Sequence, residues 1–241
     1  MMNGLHEEYY GDGKLKEKGV LLDGKRNGLW EFYNEDGHLT EKVKYINEFE
    51  FWEIFFESGE KRKFLMKNDL VEGVLENYYK TNLIEEKRYF KHDIEYLKES
   101  FFENGQLFTR GPILEGKRDG VWETYYKNGE LYDLGEYVLG MKKGIWETFY
   151  ENGQLKSKGN FSDGDKDGVW EKFDEEGHLK EKGNYSNNEK DGIWEIHYGS
   201  WVLKGRYQDG YRVGIWESFQ NDKIQDLINY DEEPHKSLNR V

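Results

Sequence analysis

Trp122, Trp146, Trp170 and Trp194 stand 24 residues apart, and Trp216 follows after 22. A spacing held over that distance marks a repeat architecture, in which each unit is one supersecondary element that buries its apolar side only against its neighbours. Carried toward the N-terminus, the same slot falls on Lys98, Leu75, Trp52, Trp30 and His6, which makes ten units. The slot after this anchor is Glu in every unit, from Glu7 to Glu217. The slot before it is always apolar: Leu5, Leu29, Phe51, Val74, Leu97, Val121, Ile145, Val169, Ile193, Ile215. Three residues beyond the anchor comes an aromatic ring in nine units, with His197 the exception.

Each unit carries two turn signals. Asp12-Gly13, Asp36-Gly37, Asn104-Gly105, Asn128-Gly129 and Asn152-Gly153 predict two-residue type I′ hairpin loops, because both central residues of such a loop need φ > 0. A second turn with glycine at both ends precedes most anchors, as at Gly140 to Gly144 and Gly164 to Gly168. No apolar set at helical spacing persists along the chain, so no helix is predicted. The expected fold is all-β: an elongated antiparallel sheet of about ten tandem β-hairpin repeats, a quasi-solenoid over residues 1–230, with a flexible tail at 231–241. At ~4.8 Å per strand, about twenty strands would span roughly 90–100 Å.

Closing one hairpin on Asn152-Gly153 fixes a register. Tyr150 then faces Leu155, Phe149 faces Lys156, Thr148 faces Ser157, Glu147 faces Lys158 and Trp146 faces Gly159. A ring over a strand glycine covers bare backbone, and opposite charges across a pair add roughly 0.2–1 kcal/mol. The repeated Glu therefore reads as a sheet-surface residue with a cross-strand cation. The Trp ladder reads as structure, taking the part that aliphatic residues play in an ordinary core. A stripe for binding carbohydrate or peptide is the other reading of these rings.

Composition narrows the function. The chain is 17% aromatic, which argues against disorder. It has no cysteine, which excludes disulfides and thiolate chemistry. A net charge of −14 opposes nucleic acid and anionic membrane and favours a basic protein partner. No HExxH, P-loop or GxSxG appears, and the six histidines show no ligand spacing. The string DGDKDG at Asp163 to Gly168 begins like a calcium loop, but it fills an ordinary second turn whose siblings read DGKRNG and LGMKKG. No catalytic, cofactor or metal residue is expected, and the chain is read as a binding protein without enzymatic activity.

The segments DGVWETYYKNGELYDLGEY, KGIWETFYENGQLKSKGNF and DGVWEKFDEEGHLKEKGNY resemble MORN-type repeats, specifically the MORN repeat variant of the bacterial YwqK-like antitoxin family. The resemblance covers about Gly4 to Ile228. It implies an antiparallel hairpin array that acts by binding proteins, as an antitoxin or immunity protein does. The pattern departs between about 49 and 98, where the anchors become Leu75 and Lys98 and the glycine pairs thin out. That stretch is the expected site of specificity. The candidate partner-binding residues are Phe49, Phe51, Phe55, Phe56, Phe64, Tyr78, Tyr79, Phe101 and Phe102.

Two functions stay open at this level. One is a cytoplasmic, immunity-like scaffold holding a basic toxin. The other is a secreted or surface module, adhesin-like, that binds host protein or glycan; a leader ahead of MMNGLHEEYY would favour it. Membrane scaffolding is disfavoured by the charge. The weakly charged Ile224 to Tyr230 end suits a homodimer formed by pairing sheet edges.

Overall fold

The computed structural model describes residues 3–231; the rest of the expected C-terminal tail, 232–241, lies outside the described residues. The chain divides into two compact units between Gly116 and Lys117. The first holds β1 (Gly4–Tyr9), β2 (Leu15–Leu22), β3 (Lys25–Tyr33), β4 (Leu39–Ile46), β5 (Phe49–Phe55), β6 (Lys61–Lys67), β7 (Leu70–Tyr78), β8 (Ile84–Lys91), β9 (Ile94–Phe101) and β10 (Leu107–Leu114). The second holds β11 (Lys117–Arg118), β12 (Gly120–Tyr125), β13 (Leu131–Val138), β14 (Met141–Phe149), β15 (Leu155–Ser162), β16 (Asp165–Phe173), β17 (Leu179–Ser186), β18 (Glu189–Tyr198), β19 (Trp201–Gln208), β20 (Tyr211–Gln220) and β21 (Lys223–Asn229). Within each unit successive strands pair antiparallel, so the architecture is the expected all-β array of hairpins. No helix is present among the described residues.

The two turns of a repeat are of different kinds, and the type I′ loops are not where the Asn-Gly pairs predict them. At the first turn Gly153 N donates to Tyr150 O at 2.9 Å, and Tyr150 N donates to Gln154 O at 2.9 Å. Asn152 keeps φ < 0 and only Gly153, at φ 81°, is left-handed. This is a type I turn closed by a left-handed glycine, a three-residue loop. The extra residue is absorbed beside the turn, where the register shifts and Phe149 faces Leu155 instead of Lys156. Beyond that bulge the expected pairs Thr148–Ser157, Glu147–Lys158 and Trp146–Gly159 hold. The type I′ loops occur at the second turn: Asp163 and Gly164 have φ of 50° and 95°, and Ser162 pairs with Asp165. DGDKDG is therefore a hairpin loop followed by a bulge.

Five tryptophan rings lean the other way from the sequence expectation. Trp146 has Gly159 as its hairpin partner, yet its indole lies on Gly135 of the strand before. Trp30 lies in the same way on Gly19, Trp170 on Gly159, Trp194 on Gly183 and Trp216 on Gly205. The cause is the bulge at the second turn. The β13–β14 register shifts between Leu134 and Glu136, which widens the sheet next to Gly135, and Glu136 O accepts the Trp146 indole proton at 3.1 Å. The same donation recurs from Trp170 to Asn160 O and from Trp194 to Asn184 O.

A cation closes the other side of each ring. Lys142 Nζ stands 3.9 Å from the Trp146 ring centre, Lys166 4.5 Å from Trp170, Lys190 4.2 Å from Trp194, and Arg26 and Arg212 cover Trp30 and Trp216. Burial pushes the amines of Lys142, Lys166 and Lys190 below the usual lysine range, so these contacts are partly desolvated, where cation–π attraction is stronger. Tyr137, Phe161, Tyr185, Tyr207 and Tyr230 fill the gaps edge-on, giving an unbroken T-shaped ladder from Trp122 to Tyr230. Six tryptophans are thereby left with 0–3% of their surface exposed. These rings are core, which removes the reading of them as a ligand stripe.

The opposite face carries the repeated Glu. Lys158 pairs with Glu147 at 2.6 Å and stands opposite Glu171 on its other side; Lys182 does the same between Glu171 and Glu195. The expected cross-strand cation thus becomes a continuous alternating row. At the first-turn edge, Tyr150 OH donates to Phe173 O at 2.8 Å and Asn152 Nδ2 to Glu175 O at 2.9 Å, tying each turn to the next.

Candidate binding surface

The set of glycine, tryptophan and covering cation breaks down over β4 to β9. The glycine slot holds Val43, Phe64 and Arg88, which face Trp52, Trp52 and Lys98. The cation slot holds Glu50, opposite Tyr45, and Glu95, opposite Phe90. Without a glycine beneath it, Trp52 stacks on Phe64 with ring centres 5.8 Å apart and planes 5° apart, and its indole donates to Glu50 instead of a backbone carbonyl. Beyond this pair the ladder is replaced by a polar line. Arg62 Nε donates to Asn77 Oδ1 at 2.7 Å, Asn77 Nδ2 to Glu86 Oε1 at 3.2 Å, and Arg88 Nε to the same oxygen at 2.6 Å, while Lys98 takes Glu86 Oε2. Burial pushes the Glu86 carboxyl up, but the hydrogen bonds and charges of Lys98 and Arg88 outweigh it and hold the group below its ordinary range. Glu95 Oε1 is buried without a hydrogen-bond partner.

The opposite face of the same strands carries an apolar band beside its ion pairs. In the second unit the residue across from the apolar slot is polar: Glu136, Asn160, Asn184, Arg206 and Asn229. Over β5 to β9 it is Leu65 across from Phe51 and Tyr89 across from Val74, and Tyr89 also pairs with Leu97. The row here becomes a band of Phe51, Leu65, Val74, Tyr89 and Leu97, with Phe51 and Val74 exposed. Tyr89 OH donates to Glu99 Oε2 at 2.8 Å, and burial together with that carboxylate pushes its pKa up to about 12.

The nine aromatic residues picked from the sequence do not form one patch. Side chains alternate faces along a strand, so Phe49, Phe51 and Phe55 of β5, with Tyr78 and Phe101, share the apolar face. Phe49 lies under Lys67 Nζ at 5.1 Å and Tyr78 under Lys61 Nζ at 4.6 Å. Phe64 is on the other face, stacked on Trp52. Phe56, Tyr79 and Phe102 sit at the first-turn edge. There Tyr79 OH donates to Phe101 O at 2.8 Å, Phe102 packs on Phe108 at 4.8 Å, and Arg62 reaches over Phe56 at 5.7 Å. Only Phe51 of the nine lies in the band. Leu65, Val74, Tyr89 and Leu97 escaped a search for aromatic excess. The signal was present in the column opposite the apolar slot, where leucine and tyrosine stand for asparagine.

Shallow depressions lie toward the ends of these strands, one lined by Phe56, Arg62, Asn77 and Tyr78, another by Phe49, Lys67, Leu70 and His92, and neither is lined by a residue of the band. Among the described residues two groups have metal-ligand spacing, His6 with Glu8 and Glu17, and Asp174 with Glu176 and His178. Both have structural work: Glu17 takes Arg26 at 2.8 Å, and Asp174 caps the turn by accepting His178 N at 2.8 Å.

The family described as MORN repeat variant matches five segments, residues 2–21, 26–47, 118–138, 142–163 and 166–187. The chain is similar to that repeat in these stretches, and the interval between 47 and 118 coincides with the loss of the glycine, tryptophan and cation set. No curated protein matches the chain. MORN repeats are generally protein- or lipid-binding modules.

Proposed function

We propose that the chain is a non-enzymatic scaffold that holds a small basic protein, in the manner of an antitoxin or immunity protein. The observation that carries this reading is the band of Phe51, Leu65, Val74, Tyr89 and Leu97, where the repeat's apolar slot and its cross-strand partner are both apolar in successive repeats, as they are in the single pair Leu5 and Val20 of β1 and β2. A contiguous apolar strip bordered by ion pairs is the composition of a protein-binding core with a polar rim. The net charge of −14 favours encounter with a basic partner. The carboxylates beside the band are committed to cross-strand lysines, Glu53 to Lys63 and Glu76 to Lys87, which suits holding better than proton transfer.

The test is capture of a partner with the tagged chain, followed by titration with Phe51→Asp/Tyr89→Asp. A basic protein recovered in equal amount, whose toxicity on expression is relieved by this chain, supports the reading. The double substitution is expected to weaken binding at least ~10-fold, about 1.4 kcal/mol, while Leu22→Asp, at an exposed site outside the band, leaves it unchanged. Undiminished binding by the double variant, or an acidic partner, overturns the assignment.

A further inference from the structure

The apolar slot of the second unit has a property of its own. Val121, Ile145, Val169, Ile193 and Ile215 lie on the face opposite the tryptophans and are 54–68% exposed. Each sits two strands beyond the last, so the row advances by about 9.6 Å per step. On the order of 100 Å² is exposed at each, about 500 Å² in all, which reaches the size of patch that marks an interaction site. The tryptophan core needs none of these side chains. Nor does the ionic row beside them, where Lys158, Lys182 and Lys204 alternate with the four glutamates from Glu147 to Glu217 and offset most of their charge. The chain's excess of carboxylates is therefore weakened along this row.

We propose that this row is a self-association face, covered by the same row of a second copy of the chain. A partner must present apolar groups at the repeat's own step to meet all five, and a second copy does so by construction. Two-fold pairing requires that if residue i meets j, then j meets i. With Val169 at the centre of the row, Val169 meets its own counterpart, Ile145 meets Ile193, and Val121 meets Ile215. With the half-buried Asn160 and Asn184 included, the area is about 600 Å² per partner, the lower end of the range for specific interfaces.

Sedimentation velocity of the full chain up to about 100 µM tests the association. The expected species is twice the 28.9 kDa monomer for the wild type and monomer for Ile145→Lys/Ile193→Lys, with far-ultraviolet circular dichroism unchanged. The chain lacks cysteine, so single-cysteine variants report the register without disturbing the fold. A short bis-maleimide, reaching across the ~10 Å between packed sheets, is expected to join Val169→Cys to itself. It is expected to join Ile145→Cys to Ile193→Cys only in a mixture, and neither to itself. A wild type that stays monomeric overturns the proposal and leaves the row to a different protein. A dimer that survives the two lysines but falls apart on Ile224→Lys/Leu227→Lys overturns it in favour of the β21 edge. Self-joining of Ile145→Cys overturns the two-fold register.

Discussion

Replacing Gly159 by alanine adds one methyl group beneath the indole of Trp170. A Cβ there would stand 2.1, 2.3 and 2.4 Å from Cδ2, Cε2 and Cγ of that ring, inside any tolerable contact. The ring is rigid and cannot yield by rotating a terminal atom. It must lift, and in lifting it loses three things: its burial, now 97% complete, the hydrogen bond to Asn160 O at 3.0 Å, and the edge-on packing of Phe161 and Tyr185. Outright deletion of a buried tryptophan costs about 3–5 kcal/mol, and partial expulsion retains part of that. Against it stands ~0.4–1 kcal/mol gained by stiffening the unfolded chain, since Gly159 does not need φ > 0. The expected net loss is about 2–3 kcal/mol, or roughly 5–10 °C in Tm for a chain of this size. Urea unfolding followed by tryptophan emission measures it. Gly11→Ala, where nothing lies within 4 Å of the new Cβ, is the control and is expected to be near neutral. Adding Trp170→Leu to Gly159→Ala removes the clash, so the pair is expected to cost less than the sum of its parts. A Gly159→Ala chain as stable as Gly11→Ala would refute the close approach on which the core is built.

Three further outcomes follow from particular contacts. Burial pushes Glu181 up, but Lys190 at 3.0 Å and Lys172 at 3.2 Å outweigh it and hold its carboxyl below the ordinary value. The unfolded chain then binds more protons just below pH 4.5, so this stabilisation is full above that pH and drains as pH falls through the folded value. Wild type is expected to lose about 1 kcal/mol more than Glu181→Gln between about pH 6 and pH 3, by urea midpoints across that range. Leu139 opens a type I′ loop at φ 48°, where its siblings are Asp163 and Asn187; Leu139→Asn relieves that strain and is expected to raise stability by ~1 kcal/mol in the same assay. Tyr150→Phe deletes the bond to Phe173 O and is expected to cost ~0.5–1.5 kcal/mol, with faster amide exchange confined to the first-turn edge.

The repeat, its hairpins and most of its register were legible because each rests on local chemistry repeated ten times. Glu147 against Lys158 follows from counting outward from a turn, and the count survives the error in turn type because the left-handed Gly153 and the adjacent bulge cancel. The turn types were not legible in the same way. Asn-Gly suits a type I′ loop and equally suits the last two residues of a three-residue loop, and Leu139-Gly140 carries no type I′ signal at all. The direction of the tryptophan rings was beyond the sequence too. Trp146 lies between Gly135 and Gly159, and only the bulge near Glu136 decides between them. The apolar slot was plain, but its exposure was not. In a single sheet only one face can be closed by tryptophans, and Val169 and Ile193 stand on the other. Aromatic excess singled out the strands of the candidate surface, yet it mixed both faces, Phe51 with Phe64.

The placement of each indole on the preceding strand also decides where one module ends and the next begins. Gly159, its covering Lys166 and Trp170 all belong to the segment joined by the Asp163-Gly164 loop, whereas in the hairpin closed at Asn152-Gly153 the ring of Trp146 lies on Gly135 of the strand before rather than on its partner Gly159. A cut at the Asn-Gly turn leaves each such trio whole; a cut at the Asp-Gly loop divides it. Arrays lengthened or shortened by one repeat are therefore best joined at Asn128-Gly129 or Asn152-Gly153, so that every graft carries its own glycine floor, ring and cationic lid.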